Sequence, residues 1–273
     1  MIIEYEKLTF TNSFMFCNIL QKDPELCKEI VETLLDVKIR EIISTNDEET
    51  IKPNSDGHGV RLDVYMEGDD AVYDIEMQTA DTGNIRKRSR YYQGVLDTDY
   101  LKKGQNYNKL KKTYIIFICT FDLFNQGLPK YTFSNTCAES PDLQLGDEAI
   151  KVFINAHGVS PDSSPAFKEF LKYITEAKVS GRLTERIENN LQEALKNEGM
   201  RAKYMTFEWE LESKYREGME KGMEAGMEKG MEAGVAAGNR EAIKKMLTKL
   251  LPEDIIAMGF SAEDVEAARE ATE

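Results

Sequence analysis

Three acidic residues, Asp63, Asp74 and Glu76, stand at a spacing that could bind a metal ion. They lie in residues 59–78, where two runs of alternating apolar and polar residues flank a turn-forming stretch at 67–70. Such a pattern predicts a β-hairpin. Because successive side chains point to opposite faces of a strand, the three acids share one face of this hairpin with Gln78.

The register of the two strands decides which acids are neighbours. Pairing Met66 with Tyr73 sets Asp63 across from Glu76, whereas a slip of two residues sets Asp63 across from Asp74. Cross-strand neighbours have Cβ atoms about 4.5–5.5 Å apart, where like charges repel. A hard divalent cation such as Mg²⁺ would relieve this repulsion, since it binds carboxylates, water and phosphate oxygens. The alternative is a solvated outer face, where water screens the acids.

Five short segments in and after the hairpin carry a family resemblance. They are Arg-Leu-Asp-Val-Tyr at 61–65, Asp-Ile-Glu-Met-Gln at 74–78, Arg-Lys-Arg-Ser-Arg-Tyr-Tyr-Gln at 86–93, Leu-Lys-Lys-Gly at 101–104 and the apolar run 114–124. Together they resemble the Rpn family of recombination-promoting nucleases and transposases, a branch of the PD-(D/E)XK nuclease superfamily. The resemblance covers roughly the first two-thirds of the chain.

This resemblance implies a metal-dependent DNA endonuclease with a link to recombination or transposition. It implies Asp63, Glu76 and Gln78 as catalytic residues. It also implies Asp63, Glu76 and the carbonyl of Met77 as ligands of Mg²⁺ or another divalent cation. Gln78 would orient the attacking water or a phosphate oxygen. Gln78 stands where the superfamily has Lys, and this departure leaves a second interpretation open, a catalytically inactive nuclease-fold module that binds DNA or protein.

A basic segment follows the hairpin directly. Between residues 84 and 112 there are nine Lys and Arg residues and two acidic ones, a local charge of +7 in a chain whose net charge is −14. Lys and Arg neutralise backbone phosphates, so a basic segment beside a metal site suits a DNA substrate. We expect Arg86, Arg88 and Arg90 to contact phosphates. The alternative is the solvated side of an ordinary amphipathic helix.

The composition is that of a soluble globular protein, with 41% hydrophobic and 31% charged residues. No apolar run approaches the ~20 residues needed to cross a bilayer, and the N-terminus lacks the layout of a signal peptide. The four cysteines show no Cys-x-x-Cys spacing, which favours reduced core thiols over a structural zinc site. We therefore expect a cytoplasmic protein with no membrane partner.

The order of predicted elements defines the fold class. Besides the hairpin, helices are predicted over 8–35, 84–101 and 161–178, and strands over 37–44, 114–121, 131–133 and 149–155. This order predicts an α/β domain over residues 1–180, with a mixed sheet flanked by helices. The nuclease resemblance implies the same PD-(D/E)XK-like architecture.

Residues 181–273 are predicted to form an α-helical extension. Gly-Met-Glu recurs every four residues over 218–234, and a terminal helical hairpin follows. Each Gly weakens a helix by about 0.5–1 kcal/mol relative to Ala, so local propensity alone would not hold this segment. Small residues and Met suit close helix contacts. The extension is therefore predicted to be either a homo-oligomer contact or a solvated spacer.

Overall fold

A computed structural model of the protein describes residues 4–47, 50–51, 60–101 and 103–270. The chain divides into two compact units, residues 1–205 and 206–273. The helices are α1 (Ser13–Lys22), α2 (Pro24–Leu35), α3 (Ile85–Tyr100), α4 (Pro165–Glu176), α5 (Arg182–Leu195), α6 (Glu198–Leu247), α7 (Pro252–Ala257) and α8 (Ala262–Glu270). The strands are β1 (Ile42–Asp47), β2 (Thr50–Ile51), β3 (Val60–Arg61), β4 (Val64–Gly68), β5 (Ala71–Gln78), β6 (Lys112–Cys119), β7 (Lys130–Phe133) and β8 (Ala149–Asn155).

Six of these strands form one mixed sheet in the order β1-β4-β5-β6-β8-β7. β4 and β5 pair antiparallel with Met66 opposite Tyr73, which is the first of the two predicted registers. β5 pairs with β6, and β6 with β8, in parallel. The edge strands β1 and β7 are antiparallel to their neighbours. The predicted α/β class, with a mixed sheet flanked by helices and a helical C-terminal region, is confirmed.

The acidic face of β5 is buried. Helix α3 covers this face, because Ile85, Tyr92 and Val95 pack in one cluster with Ile115 and Phe117 of the central strand β6. The side chains of β5 that share this face include Asp74 and Glu76, which are 0% and 1% exposed. The alternative of a solvated outer face is therefore wrong.

The predicted helix over 8–35 is two helices with a break at Asp23. Asp23 ends α1 and caps α2, since its side chain accepts a hydrogen bond from the Leu26 amide and Pro24 occupies the first helical position. Asn12 caps α1 in the same way, through the Met15 amide. These caps fix the two helices that lie against β1.

Helix α5 belongs to the first compact unit, which extends beyond the predicted boundary at residue 180 to Met205. Its apolar side chains, Leu183, Ile187 and Leu191, are buried. Arg186 donates to both carboxylate oxygens of Asp23, at 2.6 and 3.1 Å, and to Glu29 at 2.9 Å. The change of composition near residue 180 therefore does not mark the boundary between the units, which lies at Met205.

The second unit contains the glycine-methionine repeat and the predicted terminal hairpin. The repeat is helical within α6, and its four methionines at 219, 223, 227 and 231 are exposed. The end of α6 packs with α7 and α8 around Ile243, Ile255, Val265 and Ala268. Among the described residues, no helix combines the length and apolar content that crossing a bilayer requires.

Candidate active site

Asp63 and Glu76 meet where the hairpin strands begin and end. Asp63 lies directly before β4, and Glu76 lies near the carboxyl end of β5. The Asp63 amide donates to Glu76 Oε1 at 2.9 Å, and the Met77 amide donates to Asp63 Oδ2 at 3.0 Å. Each carboxylate therefore binds the backbone of the other strand, and the two predicted ligands are neighbours. Asp63 is partly exposed, so the pair lies at the rim of the buried face.

Asp74 is the third acid of this cluster, which the alternation along the strand placed on one face with Asp63 and Glu76 but which was not among the predicted metal ligands. It is 0% exposed, and within the described part of the chain neither of its carboxylate oxygens has a hydrogen-bond partner. Burial, followed by the charge of Asp63, raises the pKa of Asp74 well above its usual value, while Arg88 lowers it. An unpartnered buried carboxylate is costly unless a proton or a cation neutralises it. The alternation along β5 predicted the face of Asp74 but not its burial, which depends on the packing of α3.

Glu76 is held between one cation and two acids. Burial is the largest cause that raises its pKa, followed by the charges of Asp74 and Asp63. The hydrogen bond from the Asp63 amide and the charge of Arg88 act in the opposite direction. Arg88 Nη2 lies 3.0 Å from Glu76 Oε2. Among the residues that the structure describes, the site therefore contains a buried carboxylate with an ion-pair partner, Glu76, beside a buried carboxylate without one, Asp74.

Arg88 points into the acid cluster. It donates from Nη1 to Gln78 Oε1 at 3.1 Å, and from Nη2 to Glu76 Oε2 and to the Tyr92 hydroxyl. Its guanidinium also lies over the rings of Tyr92 and Phe117, at 5.3 and 5.5 Å from their centroids. Arg88 was predicted to contact phosphate together with Arg86 and Arg90. In the structure its guanidinium instead binds Glu76, Gln78 and Tyr92.

The other two arginines of the predicted group lie elsewhere on α3. Arg86 is exposed, donates to the Leu123 carbonyl at 2.6 Å and lies over the Phe124 ring. Arg90 is exposed. Residues two apart on a helix point about 200° apart, so Arg86 and Arg90 could not share the direction of Arg88. Arg88 instead follows Ile85 and precedes Tyr92 at helical spacing, and this apolar stripe was the signal for its inward position.

Gln78 links Arg88 to the end of β5. Its amide nitrogen donates to the Met77 carbonyl at 3.0 Å, while its oxygen accepts from Arg88. The Met77 carbonyl, predicted as a metal ligand, thus lies beside the cluster with Gln78 as a partner. Gln78 is fixed at both ends of its amide.

The donor chemistry of the cluster fits a divalent cation. Three ionised carboxylates and one guanidinium carry a formal charge of −2, which one divalent ion would balance. Mg²⁺ is commonly held by one or two carboxylates and keeps several waters. Within the described residues, no three His, Cys, Asp or Glu side chains form a group arranged to hold a metal ion. The fit is thus one of charge and ligand type, and Asp74 is the group that most needs a cation.

A mixed sheet that presents acids from a hairpin beneath a basic helix defines a nuclease-like α/β fold of the PD-(D/E)XK class. A family model described as PD-(D/E)XK nuclease family transposase matches residues 12–225, more than half of the 273 residues. The protein belongs to this family, and the suspected kinship is confirmed. No curated protein and no solved structure matches the chain.

Proposed function

We propose that the protein is a DNA endonuclease that hydrolyses phosphodiester bonds with Mg²⁺ or another divalent cation. The observation that carries this proposal is the cluster of the partly exposed Asp63 with the buried Asp74 and Glu76, beside which Arg88 is paired with Glu76. Membership of a nuclease family supports hydrolysis as the reaction class. A link to recombination or transposition is part of the proposal, since the family is one of transposases.

Each residue of the cluster has a proposed role. Asp63 and Glu76 would hold the cation, together with the Met77 carbonyl. The buried Asp74, on the same face of β5, would help to balance the charge of the cation. A bound divalent ion would polarise the scissile phosphate and lower the pKa of a bound water. Gln78 would orient this water or a phosphate oxygen. The hydrogen bonds between Asp63 and β5 keep the two ligands together before any substrate arrives.

DNA would reach the site over the exposed side of α3. Arg86, Lys87 and Arg90 are exposed there, and each can contact a phosphate. Lys111, another cation of the basic segment, is paired with Glu67 at 2.8 Å and contributes less. The proposed DNA surface is therefore narrower than the basic segment of the sequence.

Two coarser features complete the proposal. The exposed methionines and glycines of the repeat in α6 would form a homo-oligomer contact. A cytoplasmic location is proposed because Cys17, Cys27 and Cys119 are buried free thiols, which suit a reducing compartment.

Incubation of supercoiled plasmid with the purified full chain tests the proposal. Wild-type protein should nick the plasmid with Mg²⁺ and lose this activity in EDTA. Asp63→Asn and Glu76→Gln should each lower the nicking rate by about 100-fold or more, because each removes a charged ligand but keeps an oxygen for its backbone hydrogen bond. Glu185→Gln, which changes an exposed acid on α5, is the matched control and should cleave like wild type.

Two results would contradict the endonuclease. Cleavage that survives in EDTA would remove the metal from the reaction. No cleavage with Mg²⁺ or Mn²⁺, with DNA binding intact, would favour the second candidate, a nuclease-fold module that binds without cutting. Gln78 in place of a Lys is the observation that keeps this candidate open.

A further inference from the structure

Helix α3 brings a positive charge to Glu76 of the acid cluster, since Arg88 forms an ion pair with it at 3.0 Å. Among the residues that the structure describes, Arg88 is the only cation within hydrogen-bond distance of Glu76 or Gln78. Its side chain is 27% exposed, against 2% for the side chain of Glu76. An Arg side chain stays protonated in proteins, so this charge is fixed and cannot act as an acid or a base.

We propose that Arg88 is the positioning cation of the site, and that it acts through Glu76 and Gln78 and not through a DNA phosphate. This inference rests on the proposed function and refines it. Arg88 neutralises Glu76 and orients the side-chain amide of Gln78, the uncharged residue at the end of β5. Arg88 on α3 thus supplies the positive charge that a cationic residue on β5 could also supply.

The surroundings of Arg88 argue for a fixed position. Its Nη2 atom is shared between Glu76 and the Tyr92 hydroxyl, and its Nη1 atom binds Gln78, so two strand residues and one helix residue hold the guanidinium. Phe117 of β6 closes one side through its ring. An arginine that contacts a DNA phosphate would instead be exposed to solvent in the free protein, as Arg90 is.

The geometry also identifies an equivalent position for the charge. Gln78 Oε1 lies 3.1 Å from Arg88 Nη1, so a Lys at position 78 would bring its ammonium group into the region that the guanidinium occupies. Moving the charge from α3 to β5 would then preserve the electrostatic balance of the cluster while it removes the arginine. If the charge of Arg88 is what matters, this exchange should restore the properties of the site. If Arg88 only packs against its neighbours, the exchange should restore nothing.

The test compares Arg88→Gln, the double variant Gln78→Lys/Arg88→Gln, and Arg90→Gln as the matched control. Melting in EDTA measures the charge balance, and calorimetric titration with Mn²⁺, chosen because it binds such ligands more tightly than Mg²⁺, measures the affinity of the acids. Binding to a labelled DNA duplex at several salt concentrations measures phosphate contacts. All measurements use the full chain.

We expect Arg88→Gln to melt about 5 °C or more below wild type in EDTA, because an uncompensated buried charge remains. It should bind Mn²⁺ about tenfold more tightly, since a competing positive charge leaves Glu76. Its salt dependence of DNA binding should equal that of wild type, whereas Arg90→Gln should lower the slope by about one. The double variant should recover most of the melting temperature and return the Mn²⁺ affinity toward wild type.

Plasmid nicking adds an activity measurement. Arg88→Gln should nick about 100-fold more slowly than wild type, and the double variant should nick at least about tenfold faster than Arg88→Gln. A double variant that melts and binds Mn²⁺ like Arg88→Gln would overturn the proposal. A salt slope that falls by about one in Arg88→Gln would also overturn it, because Arg88 would then be a phosphate contact.

Failure of this inference and failure of the proposed function are distinguishable. If wild-type protein cleaves no DNA with any divalent ion, the endonuclease proposal fails, while melting still judges the role of Arg88. If Arg88→Gln does not fold, the double variant decides. Its folding with Lys at position 78 supports the charge exchange, and its failure to fold contradicts it.

Discussion

The hairpin site and the repeat of α6 are both rich in charge, but they use it in opposite ways. In the site, Asp74 and Glu76 are buried, and one arginine faces them. At the start of the repeat, Lys221 forms an i,i+4 pair at 2.6 Å with Glu217, which directly precedes the repeat, and both side chains are more than half exposed. Water screens the exposed pair, whereas the buried acids interact strongly with each other. Burial, and not the number of charges, separates a candidate active site from a solvated helix.

The largest effect should come from cutting the chain on either side of α5. Ending it after Lys178 removes the buried Leu183, Ile187 and Leu191, each worth about 1.5–3 kcal/mol, and the ion pairs of Arg186. This loss is comparable to the whole stability of a domain, about 5–15 kcal/mol. We expect this fragment to be unfolded by circular dichroism, whereas a fragment that ends at Met205 should show a cooperative melt.

The fragment that ends at Met205 also separates the two charged regions. It keeps the acid cluster and α3 but lacks the repeat, so its nicking rate per molecule should match that of the full chain. Its molar mass by light scattering should be that of a monomer if the repeat mediates association. A folded fragment without activity would mean that the second unit contributes to catalysis, and the contrast between the two regions would fail.

A smaller effect is expected for Asp74→Asn. The change removes a buried charge beside Asp63, so the melting temperature in EDTA should rise by about 2–4 °C, close to 1 kcal/mol. Saturating Mn²⁺ should reverse the order, because the ion stabilises the wild-type protein more. Differential scanning calorimetry with and without Mn²⁺ measures both. A drop in EDTA would show that Asp74 supports the fold.

The smallest effect is expected at Glu217, directly before the repeat. Glu217→Gln breaks an exposed pair with Lys221, and the melting temperature and the nicking rate should both stay at the wild-type values. It therefore serves as the counterpart of Glu76→Gln, with the same chemical change at an exposed position. A loss of nicking as large as that of Glu76→Gln would mean that exposed and buried acids in this protein do not differ as proposed.

Local patterns predicted the hairpin. The alternation on both strands predicted which side chains share a face but left two registers open, and the structure has the one that pairs Met66 with Tyr73. What alternation could not predict was the cover over the polar face, because the packing of α3 on the sheet is a tertiary contact. The same pattern would describe a solvated edge hairpin, so the burial of Asp74 and Glu76 needed the structure.

Two differences between the sequence predictions and the structure have the same cause. Arg88 and Arg186 both occur among charged residues, and the sequence assigned their segments to a DNA surface and to a helical extension. Each arginine instead reaches acids far away in the chain, Glu76 in one case and Asp23 and Glu29 in the other. Helical spacing alone could have separated Arg88 from Arg86 and Arg90, but not named its partner.

The central claim, that the buried acids form a divalent-cation site, is tested most directly by calorimetric titration of the full chain with Mn²⁺ in the absence of DNA. Wild-type protein and Glu185→Gln should each bind one ion per chain with the same affinity, and Glu76→Gln should lose about 100-fold or more in affinity. A wild-type protein that binds no ion, or a Glu76→Gln variant that binds as wild type does, would contradict the account.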